Sequence, residues 1–405
     1  MKKILLLIAF FTSINFTITA QFDPVKGCIV NSSGECVPNT LLTALPFLRI
    51  APDARGGAMG DVGIAVSPDP NAMHYNPANL VFAKEDFALS ATFTPWLRDL
   101  AINDVYLAYL SGYKKLDDNQ VVGGALRFFS LGSINFLDEQ GIDKGDGKPR
   151  ELELSVSYGR KLGDKLSAAL SAKYIYSNLA SGQFVNGVLI NSATSFAADF
   201  SLAYRTKTKV SDYKAEWAWG MNISNIGSKV SYTDRPLKEF IPTNLGIGTS
   251  LSIDFDDYNS LAIALDFNKL LVPTPVSRTI QLEDGTLIDN PDYIDVRQFS
   301  LFEGITRSFF DAPGGFSEEL SEINIGVGLE YWYDKQFAAR IGYHYESPLK
   351  GARRFMTVGI GVKYNVFGLN ISYLVPTSNF RSPLDNTLRF GMNFDIAAFK
   401  ENQAQ

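Results

Sequence analysis

The sequence predicts an all-β protein: a transmembrane antiparallel β-barrel of about fourteen strands, with an N-terminal plug and a helical insertion in a long extracellular loop. Three observations carry this expectation. Apolar and polar residues alternate with period two over roughly fourteen segments of about ten residues, the length at which a tilted strand crosses a bilayer. After residue 20, no apolar run approaches the roughly 18–20 residues of a spanning helix. The links between segments alternate between short and long, as they do where the two rims of a barrel face different compartments.

The chain begins "MKKILLLIAFFTSINFTITA", which reads as a signal peptide over residues 1–20. Lys2 and Lys3 form its basic start, Ile4 to Phe11 its apolar centre, and Ala20 the small residue before a cut at Gln21. No cysteine stands at the cut, so a lipoprotein anchor is not expected. The full chain carries 37 basic and 43 acidic residues, a formal net charge of −6. Removal of Lys2 and Lys3 takes this to about −8, which argues against nucleic acid as a partner.

Residues 21–83 form the N-terminal extension and plug. Cys28 and Cys36 lie in "GCIVNSSGEC", where an oxidising compartment favours a small loop closed by a disulfide; two free thiols are the alternative. From Thr40 to Ala83 the alternation is absent. The glycines of "LRIAPDARGGAMGDVGIA" suit tight turns rather than a phosphate cradle, since no G-K-[ST] occurs and no strand precedes a G-x-G-x-x-G. A lumenal plug is the expectation, with Asn76, Pro77 and Ala78 within it.

The barrel is expected over residues 84–400. Its pattern is plainest in "RELELSVSYGRKLGDKLSAALSAKYIY", where Leu152, Leu154, Val156 and Tyr158 oppose Glu151, Glu153, Ser155 and Ser157. Gly163-Asp164 then marks a hairpin, and Leu166, Ala168 and Leu170 resume the apolar row. Alternation alone does not separate a barrel from a sandwich, whose second face is also solvated. The links do. "KLDDN", "GD", "TKTKVSD", "FDDYN", "DK" and "NVFG" are short, whereas Gly132–Pro149, Asn178–Thr194, Ile226–Pro242 and Leu270–Glu322 are long. The Leu152 row is therefore assigned to acyl chains and the Glu151 row to a polar lumen. Asp199, Asp266, Asp395, Arg205, Arg340 and Arg389 fall on inward rows, where they are expected to pair across the lumen. Aromatic clusters such as "AEWAW" and "LEYWYD" suit the headgroup level.

Within the longest link, Phe299, Phe302, Ile305 and Phe309 recur at intervals of three or four before Pro313-Gly314-Gly315. A helix with one apolar stripe is expected. The stripe serves either to pack on the rim and other loops or to meet a partner or the bilayer.

Several segments together resemble one family. "LRIAPDARGGAMGDVGIA", Asn76-Pro77-Ala78, "TPWLRDL", "DFNKLLVPTP", "DAPGGFSEEL", "LEYWYDKQFAARIGYHYE" and "DNTLRFGMNF" are similar to the PorV (LptO) family, outer-membrane components of the type IX secretion system of Bacteroidota. That family lies in the superfamily of the fatty-acid transporter FadL. The resemblance implies a fourteen-stranded barrel in a Gram-negative outer membrane. It also implies three kinds of partner besides lipid: cargo proteins bearing a C-terminal signal domain, the translocon pore they leave, and the surface sortase or attachment complex that receives them. In one respect the chain departs from the superfamily, whose transporters follow Asn-Pro-Ala with Gly where this chain has Asn79. A transporter-style plug hatch is not expected.

Catalytic chemistry is poorly supplied. The two histidines are His74 in the plug and His344 on an inward row with Arg340 and Glu346, and no G-x-S-x-G occurs. The acidic link "LDEQGIDKGDGKPR" lacks EF-hand spacing and its closing Glu, so no metal and no cofactor is assigned. The expected role is a non-enzymatic adaptor that binds through its extracellular loops. Candidate contacts are Trp96, Leu97, Phe299, Phe302, Phe309 and Phe380, apolar groups on links where recognition sites concentrate. Two rival readings remain: a FadL-like channel for hydrophobic small molecules, and an accessory of lipopolysaccharide modification.

Overall fold

The computed structural model describes residues 21–23, 28–30, 40–97, 104–137, 141–185, 187–234, 236–276, 279–281, 287–289, 291, 293–312, 315–348, 350–377 and 386–395. The signal peptide, Cys36 and Phe380 lie outside these residues, and of Cys28 only the backbone is described.

Fourteen antiparallel strands close into one barrel. In chain order they are β1 (Phe87–Pro95), β2 (Val105–Asp117), β3 (Gln120–Leu131), β4 (Arg150–Lys161), β5 (Leu166–Asn178), β6 (Ala193–Val210) and β7 (Tyr213–Gly227). The second half comprises β8 (Asn244–Asp254), β9 (Asn259–Leu270), β10 (Ile323–Tyr333), β11 (Phe337–Tyr345), β12 (Arg354–Tyr364), β13 (Phe367–Pro376) and β14 (Leu388–Asp395). Each strand pairs with its neighbour in sequence, and β14 closes onto β1 with Phe390 opposite Phe93 and Asp395 opposite Ala88. Closure leaves no backbone edge unpaired in hydrocarbon. No helix among the described residues is long and apolar enough to cross a membrane.

The two faces are segregated as the alternation predicts. On β4, Glu151, Glu153, Ser155 and Ser157 are buried while Leu154, Val156 and Tyr158 are exposed. On β5, Leu170 is 64% exposed beside Ser171 at 6%. A water-soluble protein buries the greasy row; here the polar row is inside, which is the arrangement a lipid solvent selects. Near the rim with short turns, Tyr213, Tyr258, Tyr333, Phe337, Tyr364 and Phe367 are all exposed, at the level where amphipathic rings meet headgroups.

Those short turns, residues 118–119, 162–165, 211–212, 255–258, 334–336 and 365–366, share one rim, the periplasmic one by the rule for such barrels. The long links share the other. Several carry small hairpins that the alternation did not mark: Ile134–Leu137 with Asp143–Gly147, Phe184–Val185 with Val188–Leu189, and Thr279–Gln281 with Leu287–Asp289. One irregularity in the wall lies between Ala198 and Phe200, where β6 bulges against β7. Asp199, at the bulge, turns inward to accept the Asn225 amide at 2.7 Å and pair with Lys173 at 2.8 Å.

Candidate functional site

The lumen is filled by the stretch from Thr40 to Ala83. It holds two short α-helices, α1 (Ala54–Gly57) and α2 (Ala72–Tyr75), and two 3-10 turns, Pro46–Arg49 and Pro77–Phe82. Such an irregular chain carries many backbone groups that no ladder satisfies, so the barrel wall must supply partners. Asp266 accepts the Gly63 and Ile64 amides at 2.8 and 3.0 Å, Thr357 accepts the Gly60 amide at 2.8 Å, and Ser250 and Ser167 donate to the Ala65 and Ala78 carbonyls at 2.7 Å each. Arg127, 1% exposed, reaches from β3 to the Phe47 and Leu48 carbonyls and to His74.

Charge fixes the plug in register. Arg55 of α1 meets Glu330 of β10 through two hydrogen bonds of 2.9 and 2.7 Å, and Glu330 also accepts Arg340 at 2.6 Å. Arg55 pairs further with Asp69 at 3.0 Å. On the opposite wall, Glu153 lies between Arg127 and Lys173, and Lys173 continues to Asp199. The inward charges do pair, but with a neighbouring strand or with the plug and not across the lumen as expected. Arg205 and Arg340 pair with wall carboxylates, Glu216 and Glu330, and Arg389 with Asp61 of the plug. Asp266 serves plug amides instead of a cation, and Asp395 sits half-buried at the rim with Lys363.

Backbone contact does the rest. Gly342 of β11 lies so close to the plug that a Cβ there would come within 2.1 Å of the Gly60 amide nitrogen; Gly328 would come within 2.6 Å of the Met59 carbonyl. Gly60 itself, at φ +73°, occupies a conformation that side chains disfavour, and it approaches the Tyr343 backbone. Asn76, Pro77 and Ala78 are all buried, and Asn76 donates to the Ile64 and Leu202 carbonyls at 3.0 and 2.9 Å. Asn79, the residue that departs from the transporter pattern, is fully engaged. It donates to the Val66 carbonyl at 2.7 Å and accepts from Arg205 at 2.8 Å, bonds no glycine could make.

Some space remains beside the plug, lined by polar and apolar groups alike. A cavity of about 110 Å³ lies between the plug and the wall from β7 to β11, lined by Asn222, Asn244, Asn268, Asn324, Asp266 and His344 among others. His344 stacks on Phe355 at 4.8 Å.

At the long-loop rim the candidate contacts separate into two groups. Trp96 and Leu97 follow β1 and are half-buried against the cluster of Leu45, Phe47, Val105 and Phe129, with Trp96 edge-on to Phe129 at 5.1 Å. Phe299 packs on Leu41, Phe240 and Leu270 and lies under the Arg307 guanidinium. These three work largely as packing. The expected helix is present as α3 (Leu301–Arg307), capped by the Ser300 hydroxyl. Its stripe divides: Phe299 turns in, while Phe302 is 72% and Phe309 38% exposed. The periodic reading missed Phe310 and Phe316, exposed at 89% and 78%, because they flank the Pro-Gly-Gly break instead of repeating along a helix. Phe316 opens α4 (Phe316–Ser321), which is held to the rim by Lys269 with Glu319 and Glu322, and by Lys350 with Glu318 and Glu322.

Residues 34–277, more than half of the chain, match the family model described as "Type IX secretion system protein PorV". No curated protein matches the chain. Among solved structures it is similar to a mutant of the monoaromatic hydrocarbon channel TodX, at 14% identity and a TM-score of 0.48 over 84% of this chain and 96% of that one. The toluene transporter TodX of P. putida gives 13% identity and 0.46 over 84% and 96%. A FadL homologue of Pseudomonas aeruginosa gives 11% identity and 0.41 over 88% and 99%.

Proposed function

The chain belongs to the PorV family of type IX secretion system proteins, and we propose from that membership that it is an adaptor which captures cargo bearing a C-terminal signal domain at the translocon exit and delivers it to the surface attachment complex. As a closed barrel of this family it resides in the outer membrane of a Gram-negative bacterium. The observation that carries the adaptor reading is the division of the molecule. Its lumen is occupied by a plug bonded to the wall through Arg55, Arg127 and Asp266, while its long links gather on one face. This division favours a role carried out at the outer surface. Phe302, Phe309, Phe310 and Phe316 are the apolar groups offered there, and large exposed aromatics are the side chains from which protein interfaces draw most of their energy. Phe299 packs beneath that link, while Trp96 and Leu97 pack on a separate cluster around Leu45 and Phe129.

A channel for hydrophobic small molecules calls for an apolar path. The cavity beside the plug mixes asparagines, Asp266 and His344 with Leu48, Ile64 and Pro242, and so does not offer a purely apolar lining. An accessory role in lipopolysaccharide modification finds no particular support in the geometry.

Deletion of the gene decides between these readings. Under the adaptor reading, signal-bearing cargo accumulates in the periplasm or at the translocon and is missing from the surface, and the intact gene restores it. Normal surface display of cargo together with lost uptake of a labelled fatty acid would replace the adaptor with a channel.

A further inference from the structure

At the short-turn rim the barrel wall has a step. β6 is the longest of the fourteen strands, at 18 residues. Its pairing with β5 ends where Tyr204 stands opposite Leu166, with one further bond from the Arg205 amide to the Lys165 carbonyl at 2.9 Å. Its pairing with β7 runs on through residues 206–210 to the turn. Those residues, about 17 Å of chain at roughly 3.4 Å each, therefore stand beyond β5 as a sheet edge. Backbone groups alternate sides in an antiparallel ladder, so the Lys207 and Lys209 amides point as the Arg205 amide does, into the space β5 has left. Neither finds a backbone acceptor among the described residues. On the outward face Tyr204 lies against Trp217 and Trp219, at 5.9 and 6.1 Å, and such rings mark the headgroup level. The edge lies past them toward the turn, in water.

Charge along this edge is one-sided. Lys207 and Lys209 continue the inward row of Arg205, are exposed, and form no ion pair among the described residues. Glu216, opposite Lys207, is taken by Arg205. Lys209 stands opposite Lys214, a like-charge pair that costs stability, and Lys214 has Asp254 beyond it on β8. Each row lacks a carboxylate on the side β5 has vacated. Lysines guard an edge against neutral strands, but guarding alone is met by a shorter strand. Here the strand is carried past its neighbour, with β-branched Thr206, Thr208 and Val210 between the lysines. We propose that residues 206–210 form a docking edge at the short-turn rim. An extended acidic segment of a periplasmic protein adds there as a strand, its backbone bonding the Lys207 and Lys209 amides and its alternate carboxylates lying beside the two ammonium groups. The edge is on the rim opposite Phe302 and Phe310, so this contact goes beyond the adaptor reading and stands whether or not cargo binds.

Fluorescein-labelled peptides test it by anisotropy on the full mature chain, folded in detergent. The probes are an acidic peptide that alternates Glu with Thr and Val, the same peptide with Lys for Glu, and two versions of the acidic one N-methylated at alternate residues in either phase. The expected result is saturable binding of the acidic peptide, at least tenfold tighter than the lysine peptide, and at least tenfold weakened by N-methylation in one phase. The double variant Lys207→Glu, Lys209→Glu should exchange the preference between the two charged peptides. Absence of saturable binding by the acidic peptide overturns the proposal, as does an unchanged preference in the double variant. Equal binding of both N-methylated versions and the parent peptide overturns it too, and leaves the lysines as a surface for anions such as lipid headgroups. Should the double variant not fold, as judged by heat-dependent gel mobility, Lys207→Gln with Lys209→Gln replaces it. That variant should bind the acidic peptide at least tenfold more weakly, and undiminished binding overturns the proposal.

Discussion

Arg55 of the plug and Glu330 of β10 face each other as a two-pronged ion pair, 275 residues apart in sequence, with Arg340 approaching the same carboxylate from β11. A buried carboxylate between two guanidiniums leaves uncompensated charge when any member is removed. Glu330→Gln is expected to cost about 3–5 kcal/mol. Thermal unfolding in detergent, followed by the change in gel mobility, measures the loss. Arg55→Met should also free the plug to move, seen as raised ion conductance in planar bilayers.

Gly342→Val puts a side chain where the Gly60 and Met59 backbone now lies. Plug displacement and increased conductance are expected. Gly368→Ala, where the nearest contact is an ordinary 3.5 Å, should behave as the parent does.

Leu170→Arg sets a charge in the outward row and is expected to destabilise the folded barrel by about 2–4 kcal/mol near the bilayer midplane. Refolding titrations into lipid vesicles give the number. An effect near zero would mean that this row does not meet lipid.

Glu346, just beyond β11, accepts Arg353 at 2.9 Å and Arg49 of the plug at 3.2 Å. Burial alone would raise its carboxyl, but the Arg353 and Arg49 guanidiniums outweigh this and hold it at about 2, below the ordinary 4.5. A depressed folded value means stability that is complete above the ordinary value and lost as pH falls toward 2. Melting temperature should therefore hold from pH 7 to 5 and drop below about pH 4. Glu346→Gln should melt lower at pH 7 and show a smaller acid drop.

Phe310→Ser and Phe316→Ser should leave stability within about 0.5 kcal/mol, because both rings are mostly exposed and, among the described rings, Phe310 meets only the exposed Phe309. If they serve recognition, each lowers recovery of the translocon or of surface-displayed cargo. Trp96→Ala should show the reverse, a stability loss above about 1 kcal/mol with recognition disturbed only indirectly.

The strand count and the identity of the lipid face were legible because period two survives any register. Leu152 and Glu151 differ in face whatever their partners are. The alternation of link lengths was equally local, a matter of counting residues between runs. The plug was legible only as an absence of period. Its anchors, Arg55 with Glu330 and Arg127 with the Phe47 and Leu48 carbonyls, join residues 275, 80 and 79 positions apart, and no local pattern announces such pairs. The same limit explains the loops. Trp96 and Leu97 looked available from composition, and only the cluster beneath them, built from the plug and β2 and β3, reveals that they are half-buried. Phe310 and Phe316 escaped because a turn, unlike a helix, gives its exposed residues no spacing to recognise.

The seam between β14 and β1 has a consequence for biosynthesis. The strand that completes the cylinder, Leu388–Asp395, follows all thirteen others in chain order among the described residues. A transcript that stops before Leu388 would encode thirteen intact staves and still yield nothing insertable, since two raw edges of amide and carbonyl would face oil. Selection against late nonsense mutations should accordingly be as severe here as against early ones.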